Sequence, residues 1–120
     1  METVKLFFVA IILAVGCINT NAQTQGTKAV GVTKTETIKV WGNCEMCKAR
    51  IEKAAKVNGV TKADWNDDTK ILTLVYNPSI VKSEDVQKKI ASVGHDTEKF
   101  KADDKAYSKL PACCQYDRKK

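Results

Sequence analysis

The chain has 120 residues, room for one small domain. With 28% charged and 43% hydrophobic residues it is neither a disordered polar chain nor a membrane-embedded one. The net charge of +6 comes from lysines scattered along the chain, and the terminal cluster Arg118-Lys119-Lys120 is short. No basic block alternates with aromatic residues, so a solvated basic surface is expected and nucleic acid is not an expected partner.

The first residues read as a targeting segment. Lys5 is followed by an apolar run, Leu6 to Ile18, shorter than the roughly 20 residues that span a bilayer. Asn19-Thr20-Asn21-Ala22 then gives a polar, small-residue exit. Residues 1–22 are therefore expected to be a signal peptide cleaved before Gln23, which places the mature chain in the periplasm or outside the cell, not spanning a membrane. Leu13-Ala14-Val15-Gly16-Cys17 offers a rival reading as a lipoprotein box with Cys17 lipidated, although Ala14 is small for that position. After cleavage Cys44, Cys47, Cys113 and Cys114 remain, in a compartment that permits disulfides. Sequence cannot choose among their three pairings.

Residues 23–33, with Gly26 and Gly31, read as a flexible leader. From Thr33 the pattern alternates, with Glu36, Ile38 and Val40 on one face, and predicts a strand that ends at Trp41-Gly42-Asn43. Met46 to Val57 predicts a helix whose apolar face is Cys47, Ile51, Ala54 and Ala55, stopped by Asn58-Gly59. Val60 to Trp65 and Ile71 to Tyr76 predict a hairpin turning at Asn66-Asp67-Asp68. A second helix is expected from a Ser83 cap, with Glu84 and Asp85 in its first turn, through Val86, Ile90 and Val93 to Gly94. His95 to Phe100 is expected as a fourth strand. The order β-α-β-β-α-β predicts an α+β, ferredoxin-like domain over 34–100, with a four-stranded antiparallel sheet and both helices on one face. Residues 101–120 form a cysteine-containing tail with helical character around Ala102 to Leu110 before Pro111.

Cys44-Glu45-Met46-Cys47 carries the chemistry. It falls where a loop enters a helix, and the helix start lowers thiol pKa values and favours the thiolate that binds metal or attacks disulfides. Two soft thiolates without a nearby histidine or carboxylate cluster select Cu(I), with Zn(II) and Hg(II) as other candidates. The same spacing also serves redox enzymes and half zinc sites.

In this context the chain resembles the heavy-metal-associated domain family of copper chaperones, periplasmic mercury-binding proteins and metal-pump amino-terminal domains. The resemblance rests on Val40 to Cys47, Ile51-Glu52-Lys53-Ala54, Asn58-Gly59-Val60, Leu72 to Pro78 and Ile90 to His95. It implies the ferredoxin-like fold, metal held by Cys44 and Cys47, and transfer to a transporter or an acceptor protein with exposed cysteines, from a monomer or a weak metal-bridged dimer. The family usually has methionine two positions before its first cysteine. Here that position is Gly42, which predicts a looser loop. Cys113, Cys114 and His95 are candidate auxiliary ligands; on its own, His95 reads as a solvent-facing loop residue.

The expected function is therefore an exported carrier or scavenger of copper-like ions, with no catalytic activity. Two alternatives stand beside it. One is a thiol–disulfide exchanger using the same cysteines; it lacks that class's tryptophan directly before the first cysteine and proline before the second. The other is an interaction module closed by a structural disulfide and holding no metal.

Overall fold

The computed structural model describes residues 32–120. The expected signal peptide, Cys17 and the leader as far as residue 31 lie outside the described residues. Three strands and three helices follow in the order β1 (Lys34–Lys39), α1 (Glu45–Ala55), β2 (Val60–Asn66), β3 (Ile71–Tyr76), α2 (Ser83–Ser92) and α3 (Asp104–Ser108), before a 3-10 turn at Ala112–Cys114.

Strand β3 is the middle of the sheet, antiparallel to β1 on one side and β2 on the other. It can be, because it is apolar on both faces: Leu72, Leu74 and Tyr76 are buried, and Ile71, Thr73 and Val75 are half-buried. Its register sets Leu72 opposite both Ile38 and Trp65, so one face of the sheet is continuously apolar. The hairpin turn is an Asx turn in which Asn66 Oδ1 accepts the N–H groups of Asp68 and Thr69 at 2.8 and 2.9 Å.

Both long helices close over that face. Helix α1 buries Cys47, Ile51, Ala54 and Ala55, the stripe its periodicity predicts, and α2 buries Val86 and Ile90. These side chains share a single core with Ile38, Val40, Ala63, Trp65, Leu72 and Leu74. Lys48 holds α1 to β2, its ammonium donating to Glu52 at 2.5 Å, to Asp64 at 2.9 Å and to the Trp65 carbonyl at 2.9 Å. Helix α2 starts at Ser83, the residue expected to cap it, so the cap falls one residue earlier. Lys82 holds the cap position and its N–H donates to the Asp85 carboxylate at 3.2 Å, while Ser83 is helical and buried.

The fourth strand is a correction. Among the described residues the sheet has three strands, and 95–100 contributes a single antiparallel bridge, Thr97 to Val40. The segment starts along the free edge of β1, with Trp41 N–H donating to Asp96 O at 2.9 Å and Glu98 N–H to Lys39 O at 3.0 Å. It then turns back: Thr97 N–H reaches Phe100 O at 2.7 Å, and Phe100 N–H reaches Thr97 Oγ1 at 3.0 Å. His95, Asp96 and Thr97 are all fully buried; the Asp96 side chain and the Thr97 carbonyl are bonded by the tail, and the His95 ring by the Trp41 carbonyl.

That tail is packed, not loose. Leu110, Cys114 and Tyr116 join the hydrophobic core. The Asp96 carboxylate, itself buried, accepts Ala102 N–H at 2.7 Å, Lys119 N–H at 3.0 Å and the Arg118 guanidinium at 2.8 Å. Arg118 also donates to Asp104 at 2.7 Å and to the Ala102 carbonyl, and Lys119 Nζ to the carbonyls of Thr97 and Glu98 at 2.9 Å. Arg118 and Lys119 of the terminal basic cluster are thus tied into the fold and half-buried, while Lys120 is exposed. Gly94 makes the junction. Its φ is +107°, and a Cβ there would lie 3.0 Å from both the Ala106 carbonyl and the Leu110 side chain.

Candidate metal centre

Cys44 is the N-cap of α1, extended at φ −143° and ψ −174°, and its carbonyl accepts the first helical bond, from Lys48 N–H at 2.9 Å. Cys47 is then the third helical residue and faces back toward the same end of the helix. Cys44 is half-buried and Cys47 fully buried. Asn43 N–H donates to Cys47 Sγ at 3.3 Å, so the loop before the helix points its amides at sulfur.

The two thiols differ chemically. Backbone N–H groups of Cys47 and Met46 donate to the Cys44 sulfur and hold its pKa below the ordinary thiol value, as a helix start should. Burial pushes the Cys47 thiol up to about 11, against the depression expected for both. Cys44 is the sulfur prepared to act first, and loading Cys47 means displacing its proton.

A third sulfur completes the group. Cys44, Cys47 and Cys114 bring their Sγ atoms within 4.8 Å of one another. Cys114 is fully buried and receives a hydrogen bond from the Arg50 guanidinium at 3.3 Å. Cys113 does not join them. It is exposed, with its Sγ 3.4 Å from Met46 Sδ and 4.0 Å from Cys114 Sγ, while its carbonyl accepts Asn43 Nδ2 at 3.4 Å. All four described cysteines are free thiols.

His95 is placed differently from its solvent-facing reading. It is fully buried, Nδ1 lies 2.9 Å from the Trp41 carbonyl, and its ring stacks on Tyr116 at 5.3 Å. Burial lowers its pKa, so the ring is neutral and Nδ1–H donates to Trp41. Among the described residues Nε2 has no partner, and His95 is not among the grouped ligands.

The loop is also firmer than Gly42 suggested. A Cβ on Gly42 would meet the Trp65 ring at 3.0 and 3.1 Å and Cys47 Cβ at 3.2 Å. Trp65 is fully buried and fixed by its indole N–H on the Val40 carbonyl at 3.0 Å. The indole forms the floor that a methionine at 42 would otherwise supply. Arg50, Trp65, Asp96 and Tyr116 are the site-building residues that sequence reading missed. For Tyr116 there was one signal, an aromatic two residues beyond a cysteine in an otherwise charged tail.

About half of this chain resembles known proteins. The copper chaperone CopZ of Staphylococcus epidermidis is 41% identical over 61 residues, covering 49% of this chain and 90% of that protein. Oxidised MerP from Ralstonia metallidurans CH34 superposes with a TM-score of 0.53 at 28% identity, over 56% of this chain and 96% of its own. The N-terminal domain of a potential copper-translocating P-type ATPase from Bacillus subtilis, in its Cu(I)-loaded state, does so with a TM-score of 0.52 at 28% identity, over 55% of this chain and 85% of its own. The heavy-metal-associated domain matches residues 43–96, which include Cys44, Cys47 and His95 and leave out the tail. With the paired cysteines at the start of α1, and likeness to relatives covered almost end to end, the chain belongs to the heavy-metal-associated domain family.

Proposed function

We propose that this protein binds a soft metal ion of the copper type through Cys44 and Cys47, outside the cytoplasm, and passes it to a thiol-bearing acceptor such as a domain of a metal transporter. One observation carries the reading: two sulfurs converge at a helix start, one of them predisposed to the thiolate, in a group that among the described residues contains no carboxylate or imidazole. Thiolate-only donor sets suit Cu(I) and Hg(II); a structural Zn(II) site would normally close with four ligands. The copper chaperone and copper-pump relatives favour Cu(I). Transfer would run by ligand exchange. An acceptor thiolate bonds to the metal, a donor cysteine leaves and takes up a proton, and no step oxidises or reduces the ion.

Export rests on the apolar run and polar exit of residues 1–22. No helix among the described residues is long and apolar enough to cross a membrane. The reading includes no catalysis.

The test is Cu(I) uptake by the purified, reduced protein against a competing chelator, beside Cys44→Ser/Cys47→Ser. Binding no tighter than in the double variant sinks the proposal. Insulin reduction at rates typical of thiol oxidoreductases would replace it with disulfide exchange.

A further inference from the structure

We propose that Cys114, brought in by residues 101–120, is a third thiolate ligand, so that the loaded site is a three-sulfur site with its last ligand supplied by the tail. This deepens the metal-carrier reading and rests on it.

The distances suit such a site. For metal–sulfur bonds of about 2.3 Å, three sulfurs in a plane around one ion lie about 4 Å apart. The three Sγ atoms are already within 4.8 Å, so closing on an ion needs a contraction of less than about 1 Å. Cys113 is next in the chain but exposed and turned onto Met46, so the tail delivers one sulfur to the cluster and not both.

Cys114 is also held in place. Tyr116, two residues on, is buried; its hydroxyl donates to Gly94 O at 2.6 Å and accepts Asp96 N–H at 2.8 Å. The Tyr116 carbonyl accepts the Tyr107 hydroxyl at 2.7 Å, and the Tyr116 ring stacks on His95, which in turn bonds the Trp41 carbonyl. The tail is therefore locked to the residues flanking the Cys44 loop. A ligand fixed before metal arrives loses little entropy on binding it.

Charge points the same way. Packing alone would account for Cys114 as a small buried apolar residue. It does not account for the Arg50 guanidinium 3.3 Å from its sulfur. Three thiolates on a monovalent ion carry a formal charge of −2, and a guanidinium at that distance offsets part of it. Cys114 lies outside the residues matched by the family, so the third ligand comes from beyond the family's domain. It fills the coordination position that an acceptor's thiolate, or that of a second copy, would otherwise take, and so favours retention of the metal in a monomer.

X-ray absorption on the monomeric, substoichiometrically Cu(I)-loaded protein tests this. Wild type and Cys113→Ala should show three sulfurs per copper, and Cys114→Ala two. The Cu(I) affinity read from chelator competition should fall for Cys114→Ala by at least the roughly 10–100-fold that loss of an outer-sphere partner alone costs. Should Cys114→Ala fail to fold by circular dichroism, Cys114→Ser, nearly isosteric, carries the same comparison. Two sulfurs in the wild type, or three persisting in the monomeric Cys114 variant, overturn the proposal. The double variant separates the two readings. If Cys44→Ser/Cys47→Ser abolishes binding while the wild type shows two sulfurs, only the third ligand falls. If that variant binds like the wild type, the carrier reading falls with it.

Discussion

Position 42 shows how one residue is chosen by another far away in sequence. Glycine here is not serving a turn: the space its side chain would fill belongs to the Trp65 indole, 3.0 Å from an imagined Cβ. The indole cannot yield, because its N–H is spent on the Val40 carbonyl and its ring is fully buried. Restoring the methionine usual in relatives should therefore harm this protein. Gly42→Met is expected to cost about 1–3 kcal/mol of stability through overpacking, read from the urea midpoint. An unchanged midpoint would show that the loop has the slack its glycine suggests. Arg50 teaches the converse. In the sequence it is one more base on the polar side of a helix, and only the fold brings Cys114 beneath it.

At the scale of elements, whatever has a local period was readable. The α1 stripe, the hairpin and its Asn66 turn, and both faces of β3 follow from spacing and turn chemistry. The 95–100 segment was not, because its structure is decided by partners about 20 residues later. A buried Asp96 is tolerated only when something distant satisfies it, and the something is Tyr116, Arg118 and Lys119. Cys44 and Cys47 were readable for the same reason as the helix, being neighbours in one turn. The proximity of Cys114 was not, since it depends on that same long-range clamp.

The clamp has a pH signature. Burial works to raise the Asp96 pKa, but hydrogen bonds from Arg118 and from the Ala102 and Lys119 amides outweigh it and hold the carboxyl below its ordinary value. A depressed folded-state pKa contributes stability above the unfolded value of about 3.9, and that contribution is lost as pH falls through the folded-state value. Stability should thus be level from neutral pH down to about 4 where this group is concerned, then drop. In Asp96→Ala that step should disappear. Its midpoint at neutral pH should fall by the equivalent of about 3 kcal/mol, the low end for breaking a buried pair, because Arg118 keeps Asp104. A variant with wild-type stability at pH 7 would show that the tail is held by its apolar contacts alone.

For the whole molecule, the decisive feature is that the proposed ligands sit on two stretches of chain at opposite ends of the described residues. Cys44 and Cys47 belong to the family domain, and Cys114 to the tail beyond it. An ion that binds the folded state and not the unfolded one stabilises it by RT ln(1 + [L]/Kd), about 2.7 kcal/mol when free metal stands a hundredfold above Kd. Where that energy appears depends on which stretches hold the ion. With two ligands only, loading would slow hydrogen exchange around the start of α1 and leave the tail to open on its own. With Cys114 bound, opening the tail requires breaking a metal–sulfur bond. The Cys114 and Tyr116 amides, which close the 3-10 turn on the Pro111 and Cys114 carbonyls at 2.8 and 2.9 Å, should then exchange more slowly in the Cu(I) form. The slowing should match that of the first turn of α1 and vanish in Cys114→Ala. Tail amides that exchange equally fast with and without Cu(I), while those of α1 slow, would show that metal and tail are energetically independent.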